Sequence, residues 1–181
     1  SSSFDKVDID SVKRLYIAGG DPSVMPSVYK FMEKCIERKK TNFTFNINTN
    51  SVSIKPKFYN LCKQFPKLTI STSVDGVGKV NEYVRWLTIS EKQKRNIHRF
   101  KEQGNKVHIT SVVSIYNVAT LGETMQMFDR EFAYAPIQLQ WAGFKDQILS
   151  PFNHPNRKLV FESLKKAKDT ECYWHNESGT T

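Results

Sequence analysis

Apolar and polar positions follow two different periods along this chain, and the two periods predict strands and helices in turn. Short stretches with alternating or continuous apolar residues are typical of strands, whereas apolar residues that recur every three or four positions are typical of amphipathic helices. The pattern predicts strands over 13–18, 43–50, 67–75, 106–117 and 137–144. It predicts helices over 26–40, 55–65, 90–104, 118–132 and 155–168.

Local signals support several of these boundaries. Pro26 suits the first turn of a helix, Ser90 is a good N-cap, and Gly104 is a good residue just past a helix end. Residues 76–89 are predicted as a loop that contains glycines. In the last helix the residues expected to face inward are Leu159, Val160 and Leu164.

The alternation of strands and helices predicts the fold class. Strands separated by helices form right-handed βαβ units, and such units build a parallel sheet. Amphipathic helices that back one side of the sheet favour an α/β fold of the β/α-barrel type, complete or partial, with helices on the outside. A flat, doubly wound sheet is the alternative. We place residues 1–169 in this core and residues 170–181 in a polar tail or in the beginning of an absent extension.

Composition narrows the function classes. The chain has 181 residues, 39% hydrophobic and 25% charged, which is ordinary for a soluble globular protein. No apolar run approaches the ~20 residues of a membrane span, and the first residues lack the features of a signal peptide. We therefore predict a cytoplasmic protein with no membrane partner.

The net charge of +9 raises a second possibility, because a basic excess attracts nucleic acids and other polyanions. The lysines and arginines cluster on the expected outer faces of helices, where charge is usually only solvated. No aromatic strand motif or GXXG loop typical of RNA-binding domains accompanies them. Nucleic acid is therefore the less favoured partner.

The three cysteines predict neither disulfides nor a metal centre. Cys35, Cys62 and Cys172 are odd in number and widely spaced. The first two fall beside apolar residues in predicted helices and are expected to be buried. Cys172 and His175 have a spacing seen in half of a metal site, but the sequence offers no second half.

The ends of the predicted strands carry the candidate chemistry, because ligands of parallel α/β sheets bind there. The strands end in GGDP, NTN, STSVDG, SIYN and QWAG, which are rich in small and polar residues. Gly19 and Gly20 let a ligand approach bare backbone. Asp21 can bind an ammonium group, Asp75 a vicinal diol and Arg85 a carboxylate. Together these groups describe an aminoacyl nucleoside.

The ordered set GGDP, NTN, SVDG, NEYVRW, NIHRF and SVVSIYN resembles the radical S-adenosylmethionine (SAM) superfamily, over about residues 12–145. The portion from SVDG through NEYVRW to NI resembles members with a SPASM or twitch auxiliary domain. The resemblance implies a SAM-binding partial β/α barrel whose first strand is missing from this chain.

The resemblance also implies a role for each matching position. The segment that binds the methionine amino group corresponds to Gly19, Gly20, Asp21 and Pro22. Asp21 stands where the family usually has glutamate, one methylene longer.

The remaining matches implied by the resemblance lie on later strands. Thr49 and Asn50 lie where polar residues of the family's third strand approach the cofactor. Ser73 and Asp75 match the strand end that faces the ribose and the methionine carboxylate, and Arg85 matches the arginine that pairs with this carboxylate. The two positions that would flank the adenine are Val113 and Asn117.

One feature of the family is missing from the sequence. The family holds a [4Fe–4S] cluster with a Cys-x-x-x-Cys-x-x-Cys loop, and three thiolates must then lie close together on one loop. No such loop occurs here. The chain is either a fragment without the cluster loop or a degenerate, non-catalytic relative, and we favour the fragment. On its own it is expected to be inactive and to hold no metal.

The leading hypothesis is a fragment of a radical SAM enzyme. The full-length protein would cleave SAM reductively to a 5′-deoxyadenosyl radical and act on a peptide or protein. The alternatives are a non-catalytic basic α/β module that binds RNA or another polyanion, and an unrelated phosphate-binding barrel enzyme. No catalytic residue is assigned.

Overall fold

A computed structural model describes residues 3–132, 135–142 and 147–170 of the chain. Its strands are β1 (Arg14–Ile17), β2 (Thr44–Thr49), β3 (Leu68–Ser73), β4 (Lys106–Val113) and β5 (Ile137–Trp141). Its α-helices are α1 (Pro26–Glu37), α2 (Pro56–Cys62), α3 (Lys79–Val84), α4 (Ser90–Glu102), α5 (Leu121–Phe132) and α6 (Arg157–Lys168). Every predicted strand and helix is present, with shorter ends.

The strands form a five-stranded sheet in chain order, β1-β2-β3-β4-β5. The pairs β1/β2, β2/β3 and β4/β5 are parallel, with Ile47 opposite both Ile17 and Ile70, and Ile109 opposite Ile137. Sequential order is typical of a β/α barrel, because a doubly wound sheet reverses its order at a switch point. The prediction of an α/β partial barrel is confirmed, and the doubly wound alternative is not.

The chain divides into two compact units, which we describe separately. The first unit comprises Ser1–Thr72 with Lys92–Val107, and the second comprises Ser73–Glu91 with His108–Thr181. The predicted domain boundary after residue 169 stays a prediction, since residues 171–181 lie outside the described part.

Aromatic side chains fill the core of the first unit. Phe45 and Ile47 of β2 are fully buried on one face of the strand. The ring of Phe45 lies 5.2 Å from that of Phe65 and 6.5 Å from that of Phe31 on α1. The intervening Asn46 is only half-buried. The alternating pattern of β2 therefore places its apolar face under a helix and its polar face away from that core.

Close packing of α5 against α6 marks the second unit. The backbone nitrogen of Gly122 donates a hydrogen bond to Ser163 Oγ at 2.9 Å. A Cβ atom at Gly122 would lie 2.8 Å from the Ser163 carbonyl oxygen and 2.6 Å from Lys166 Cβ. The residues of α6 that are buried are Ser163 and Ala167, whereas Leu159 is 42% exposed. The prediction that Leu159 faces inward is wrong, because α6 packs through its small residues.

The ends of two predicted elements differ from the sequence pattern. The helix predicted over 26–40 ends at Glu37, because Lys39 adopts φ 55° and Lys40 N donates to the Cys35 carbonyl at 2.9 Å. This is a left-handed helix stop without the usual glycine. The strand predicted over 106–117 ends at Val113.

Helix α3 lies inside the segment that was predicted as a loop. It has only six residues, and Gly78 precedes it with φ 51°. Its length is too short for helical periodicity to show in the sequence, so the hydrophobic pattern gave no signal for it.

No helix of the described residues is long and apolar enough to cross a membrane.

Candidate functional site

The backbone after β1 takes two successive left-handed conformations. Gly19 has φ 93° and Gly20 has φ 58°, which L side chains rarely adopt. Among the described residues, a Cβ atom at Gly19 would meet nothing within 4 Å, and one at Gly20 would come no closer than 3.8 Å, to Met25 Sδ. Backbone conformation rather than crowding therefore explains the glycine pair, and its exposed backbone faces open space.

The carboxylate of Asp21 follows this turn and is satisfied on one oxygen only. Its Oδ1 accepts from Ser23 N at 3.0 Å, from Ser23 Oγ at 2.7 Å and from Thr49 Oγ1 at 2.7 Å. Its Oδ2 is buried and has no hydrogen-bond partner among the described residues. A buried carboxylate oxygen without a partner is costly, so this atom is suited to a cationic or N–H donor ligand.

Asp21 also caps the 3-10 helix Pro22–Val24, and Pro22 is buried at its first position. The hydroxyl of Tyr29 donates to the Ser23 carbonyl oxygen at 2.6 Å. These contacts stabilise the turn after β1.

The two residues predicted at the end of β2 use their side chains within their own loop. Thr49 Oγ1, besides donating to Asp21, accepts from Ser51 N at 3.0 Å. Asn50 Oδ1 accepts from Val52 N at 2.8 Å. Ser51 is fully buried with φ 55°. The hydrogen-bonding atoms of Thr49 and the amide oxygen of Asn50 thus shape the loop, and a cofactor contact by either residue stays a prediction.

Two side-chain amides of α4 donate hydrogen bonds to the backbone of this loop. Sequence reasoning missed both. Gln93 Nε2 donates to the Asn50 carbonyl at 2.6 Å, and Asn96 Nδ2 donates to the Ser51 carbonyl at 2.8 Å. Asn96 Oδ1 accepts from the Tyr59 hydroxyl at 2.8 Å. Asn96 is the first residue of the motif NIHRF. The sequence contains no chemical pattern that would assign a role to its side chain.

In the second unit, Asp75 is the centre of a closed network. It is 4% exposed. Its Oδ1 accepts from Val112 N at 2.7 Å, and its Oδ2 forms an ion pair with Arg85 Nε at 2.7 Å. Its backbone nitrogen donates to Asn81 Oδ1 at 2.8 Å, and its carbonyl accepts from Asn117 Nδ2 at 2.6 Å. Both carboxylate oxygens have protein partners, and a ribose-binding role stays a prediction.

Arg85 ends α3 and is oriented by this network. Its contact with Asp75 is an ion pair without in-line hydrogen-bond geometry. Its side chain is 26% exposed, although its Nε atom is buried. An arginine that is held by one carboxylate and reaches solvent can still bind a second carboxylate.

The other predicted residues of the second unit differ in what they offer. Asn117 is 2% exposed, and its Oδ1 accepts from Ser114 N at 2.7 Å while its Nδ2 also donates to the Val112 carbonyl at 2.8 Å. Its amide therefore closes the turn that ends β4. Val113 is fully buried. Ser73 is half-buried with its Oγ 3.2 Å from Thr110 Oγ1. Their contacts with a cofactor stay predictions.

The described residues do not fit an iron–sulfur cluster. Among them no group of three His, Cys, Asp or Glu side chains could hold a metal ion. Cys35 and Cys62 are both buried. Burial raises the pKa of the Cys35 thiol to about 11 and raises the pKa of the Cys62 thiol even more. These groups are thus neutral thiols rather than thiolate ligands. Cys172 and His175 lie outside the described residues.

Comparison with solved structures identifies proteins of similar fold. The fold is a parallel α/β sheet similar to that of Streptococcus suis SuiB, with TM-score 0.62 and 15% identity over 88% of this chain and 38% of SuiB. It is also similar to anSMEcpe with bound AdoMet, with TM-score 0.64 and 16% identity over 89% of this chain and 45% of the other. At these identities the similarity establishes the fold alone.

A third solved structure matches the chain over almost its whole length. It is a domain of pyruvate-formate lyase-activating enzyme from Bacteroides vulgatus, with TM-score 0.62 and 12% identity over 91% of this chain and 99% of that domain. No curated protein matches the chain.

The family follows from the sequence match. The Radical SAM superfamily matches residues 4–133, which is more than half of the chain. This chain therefore belongs to the radical SAM superfamily. It spans well under half of the length of SuiB, 38%. The resemblance to members with a SPASM or twitch domain is tested by none of these comparisons and stays a prediction.

Proposed function

We propose that this chain is the SAM-binding part of a radical SAM enzyme. The observation that carries the proposal is the buried Oδ2 of Asp21, which has no partner in the described part of the chain and lies next to the exposed backbone of Gly19 and Gly20. The ammonium group of SAM is the donor that this oxygen lacks, and the left-handed glycine turn gives the aminoacyl group room. Family membership supports the choice of SAM over other aminoacyl compounds.

The remaining assignments in this proposal rest on the resemblance. Arg85 and Ser73 bind the methionine carboxylate, and the accessible part of the Arg85 side chain supports this role. Asp75 binds the ribose, as the resemblance implies, or it orients Arg85. The second role is compatible with its carboxylate, whose two oxygens already have protein partners. The residues proposed to line the rest of the cofactor are Pro22, Asn50, Val113 and Asn117, while Thr49 lies beside Asp21 and donates to its carboxylate.

The cluster chemistry of the family is not proposed for the described residues, since they do not fit a [4Fe–4S] cluster. Reductive cleavage of SAM is proposed only for a longer protein that contains this chain. The chain alone is expected to bind SAM without cleaving it.

A peptide or protein is the proposed substrate of that longer protein. Two proteins of similar fold support the choice: anSMEcpe has been solved with AdoMet and a Kp18Cys peptide, and SuiB with its precursor peptide SuiA.

Isothermal titration of SAM into the purified chain tests the proposal. We expect Asp21→Asn to weaken binding by about tenfold, because a charge-assisted hydrogen bond contributes about 1.5–3 kcal/mol. Asp169→Asn is the matched control, since Asp169 is exposed at the end of α6. Equal SAM affinity of both variants and the native chain would contradict the proposed site.

Polyanion binding is a second candidate, because the basic excess is concentrated in one unit. The first unit contains 18 Lys and Arg against 7 Asp and Glu, whereas the second contains 9 against 11. Fluorescence anisotropy with a labelled single-stranded RNA at increasing salt tests it, since phosphate contacts weaken steeply with salt. Absence of binding at low salt would exclude this candidate.

A further inference from the structure

The carboxylate of Asp21 is fixed by two kinds of contact, one local and one long-range. Ser23 lies two residues away and moves with Asp21 as part of the same 3-10 turn. Thr49 lies 28 residues away, at the end of β2, and is 3% exposed. Of these two partners, only Thr49 fixes the carboxylate relative to the neighbouring strand.

The direction of the Thr49 hydrogen bond is determined by its second partner. A hydroxyl has one proton to donate. Ser51 N–H occupies the acceptor side of Thr49 Oγ1 at 3.0 Å, because an amide nitrogen can only donate. The hydroxyl proton is therefore available for Asp21 Oδ1, at 2.7 Å. Thr49 thus binds Oδ1, and Oδ2 is left without a partner within residues 3–132, 135–142 and 147–170.

The loop behind Thr49 keeps this hydroxyl in place. Ser51 has φ 55°, a conformation that its surroundings must maintain. Asn96 Nδ2 donates to the carbonyls of Ser51 at 2.8 Å and Val52 at 3.2 Å, and Gln93 secures the carbonyl of Asn50. The amides of α4 therefore preserve the position of the Ser51 N–H group, which in turn orients Thr49.

We infer that Thr49 is a positioning residue, which does not bind the cofactor itself but orients Asp21 so that Oδ2 receives the ligand ammonium group. This inference rests on the proposed function, because it requires the ligand to present a cation to Asp21. It differs from a direct contact of Thr49 with SAM, since the single hydroxyl proton of Thr49 is donated to Asp21 and Ser51 N–H occupies one of its two acceptor positions.

The test compares two ligands in the full 181-residue chain: SAM, and the SAM analogue in which hydrogen replaces the α-amino group. The ratio of their dissociation constants measures how much the ammonium group contributes to binding. We expect the native chain to prefer SAM by about tenfold, as for a charge-assisted contact. Thr49→Val is expected to reduce this ratio to about two, because the oriented carboxylate is lost.

Two further variants separate positioning from general stability. Thr49→Ser keeps the hydroxyl and is expected to keep the ratio of the native chain. Thr44→Val makes the same change at the exposed beginning of β2 and is expected to leave the ratio unchanged. If Thr49→Val does not fold, Thr49→Ala replaces it, and thermal unfolding shows which variants are folded.

The outcomes distinguish this inference from the proposed function. A native chain that does not bind SAM, or does not prefer it to the analogue, overturns the proposed function and this inference with it. A native chain that prefers SAM, together with a Thr49→Val variant of equal preference, overturns the positioning role alone. Loss of preference in Thr49→Ser would also contradict it, because the hydroxyl is still present.

Discussion

Asp21 and Asp75 both follow strands of the sheet, but the protein uses them in opposite ways. Asp75, in the second unit, gives one carboxylate oxygen to Val112 N and the other to Arg85. Asp21, in the first unit, directs three donors to Oδ1 and leaves Oδ2 buried without a partner among the described residues. A saturated carboxylate stabilises the fold, whereas a half-satisfied one keeps binding capacity for a ligand.

The surfaces of the two units differ in charge and in exposed apolar residues. The first unit carries the whole basic excess of the chain. The second carries a small acidic excess and most of the large apolar side chains that are exposed, among them Trp86 at 84% and Leu87 at 79%. Polyanions are therefore expected to bind the first unit, and partners with apolar surfaces the second.

The largest expected effect is the loss of stability in Asp75→Ala. The change leaves Val112 N without its acceptor and Arg85 without its counter-ion, so we expect a loss of about 3 kcal/mol. Asp21→Ala removes a helix cap and is expected to cost about 1 kcal/mol. Urea unfolding measures both, with Asp169→Ala as an exposed control. Equal losses for Asp75 and Asp21 would remove the distinction between a structural and a ligand-binding aspartate.

The next largest effect is expected from replacing a glycine. Gly122 is required by close packing and Gly19 by its backbone conformation. Gly122→Ala places a Cβ atom 2.8 Å from the Ser163 carbonyl oxygen, so we expect overpacking to cost about 2 kcal/mol. The Cβ atom of Gly19→Ala meets no atom of the described part of the chain within 4 Å, so the change should cost about 1 kcal/mol, through its φ of 93°. The melting temperatures of both variants test this order. A reversed order would mean that α5 and α6 separate easily.

A smaller effect is an alkaline loss of stability that originates in the first unit. The pKa of Cys35 is raised by burial from 9.0 to about 11. Between these values the folded thiol keeps its proton and the unfolded thiol loses it, so stability falls as pH rises from 9 towards 11. Tyr59, whose pKa burial raises from 10.0 to about 12, adds to the loss above pH 10.

The double variant Cys35→Ala/Cys62→Ala isolates the thiol contribution. We expect a flatter fall of the free energy of unfolding between pH 9 and pH 10 than in the native chain, measured with urea. The variant is less stable at every pH because it contains cavities, but the slope is the informative quantity. An unchanged slope would show that the thiols titrate normally.

The smallest effect is expected at the exposed apolar surface of the second unit. Trp86→Ser should change the free energy of unfolding by less than about 0.5 kcal/mol, because its side chain is 84% exposed. Urea unfolding at two protein concentrations measures this. A loss above about 1 kcal/mol that grows with concentration would show that Trp86 is covered by another copy of the chain.

Much of the fold follows from local patterns. Period-two alternation located β2 and β4, and helical periodicity located α1 and α5, because a buried face forces that spacing on the sequence. The end of α1 at Glu37, before the left-handed Lys39, and the six-residue α3 were missed. A left-handed lysine has no sequence signal, and one and a half turns are too few to show a period.

The candidate site at the strand ends could also be predicted only in part. The sequence by itself determined the fold class, the burial of Cys35 and Cys62, and the polar residues at the ends of parallel strands, because these depend on periodicity and neighbouring residues. Tertiary structure alone decided that Asp75 pairs with Arg85, that α4 holds the loop after β2, and that Thr49 occupies one oxygen of Asp21. These contacts join residues that are 10 to 45 positions apart, and no local pattern encodes such a pairing.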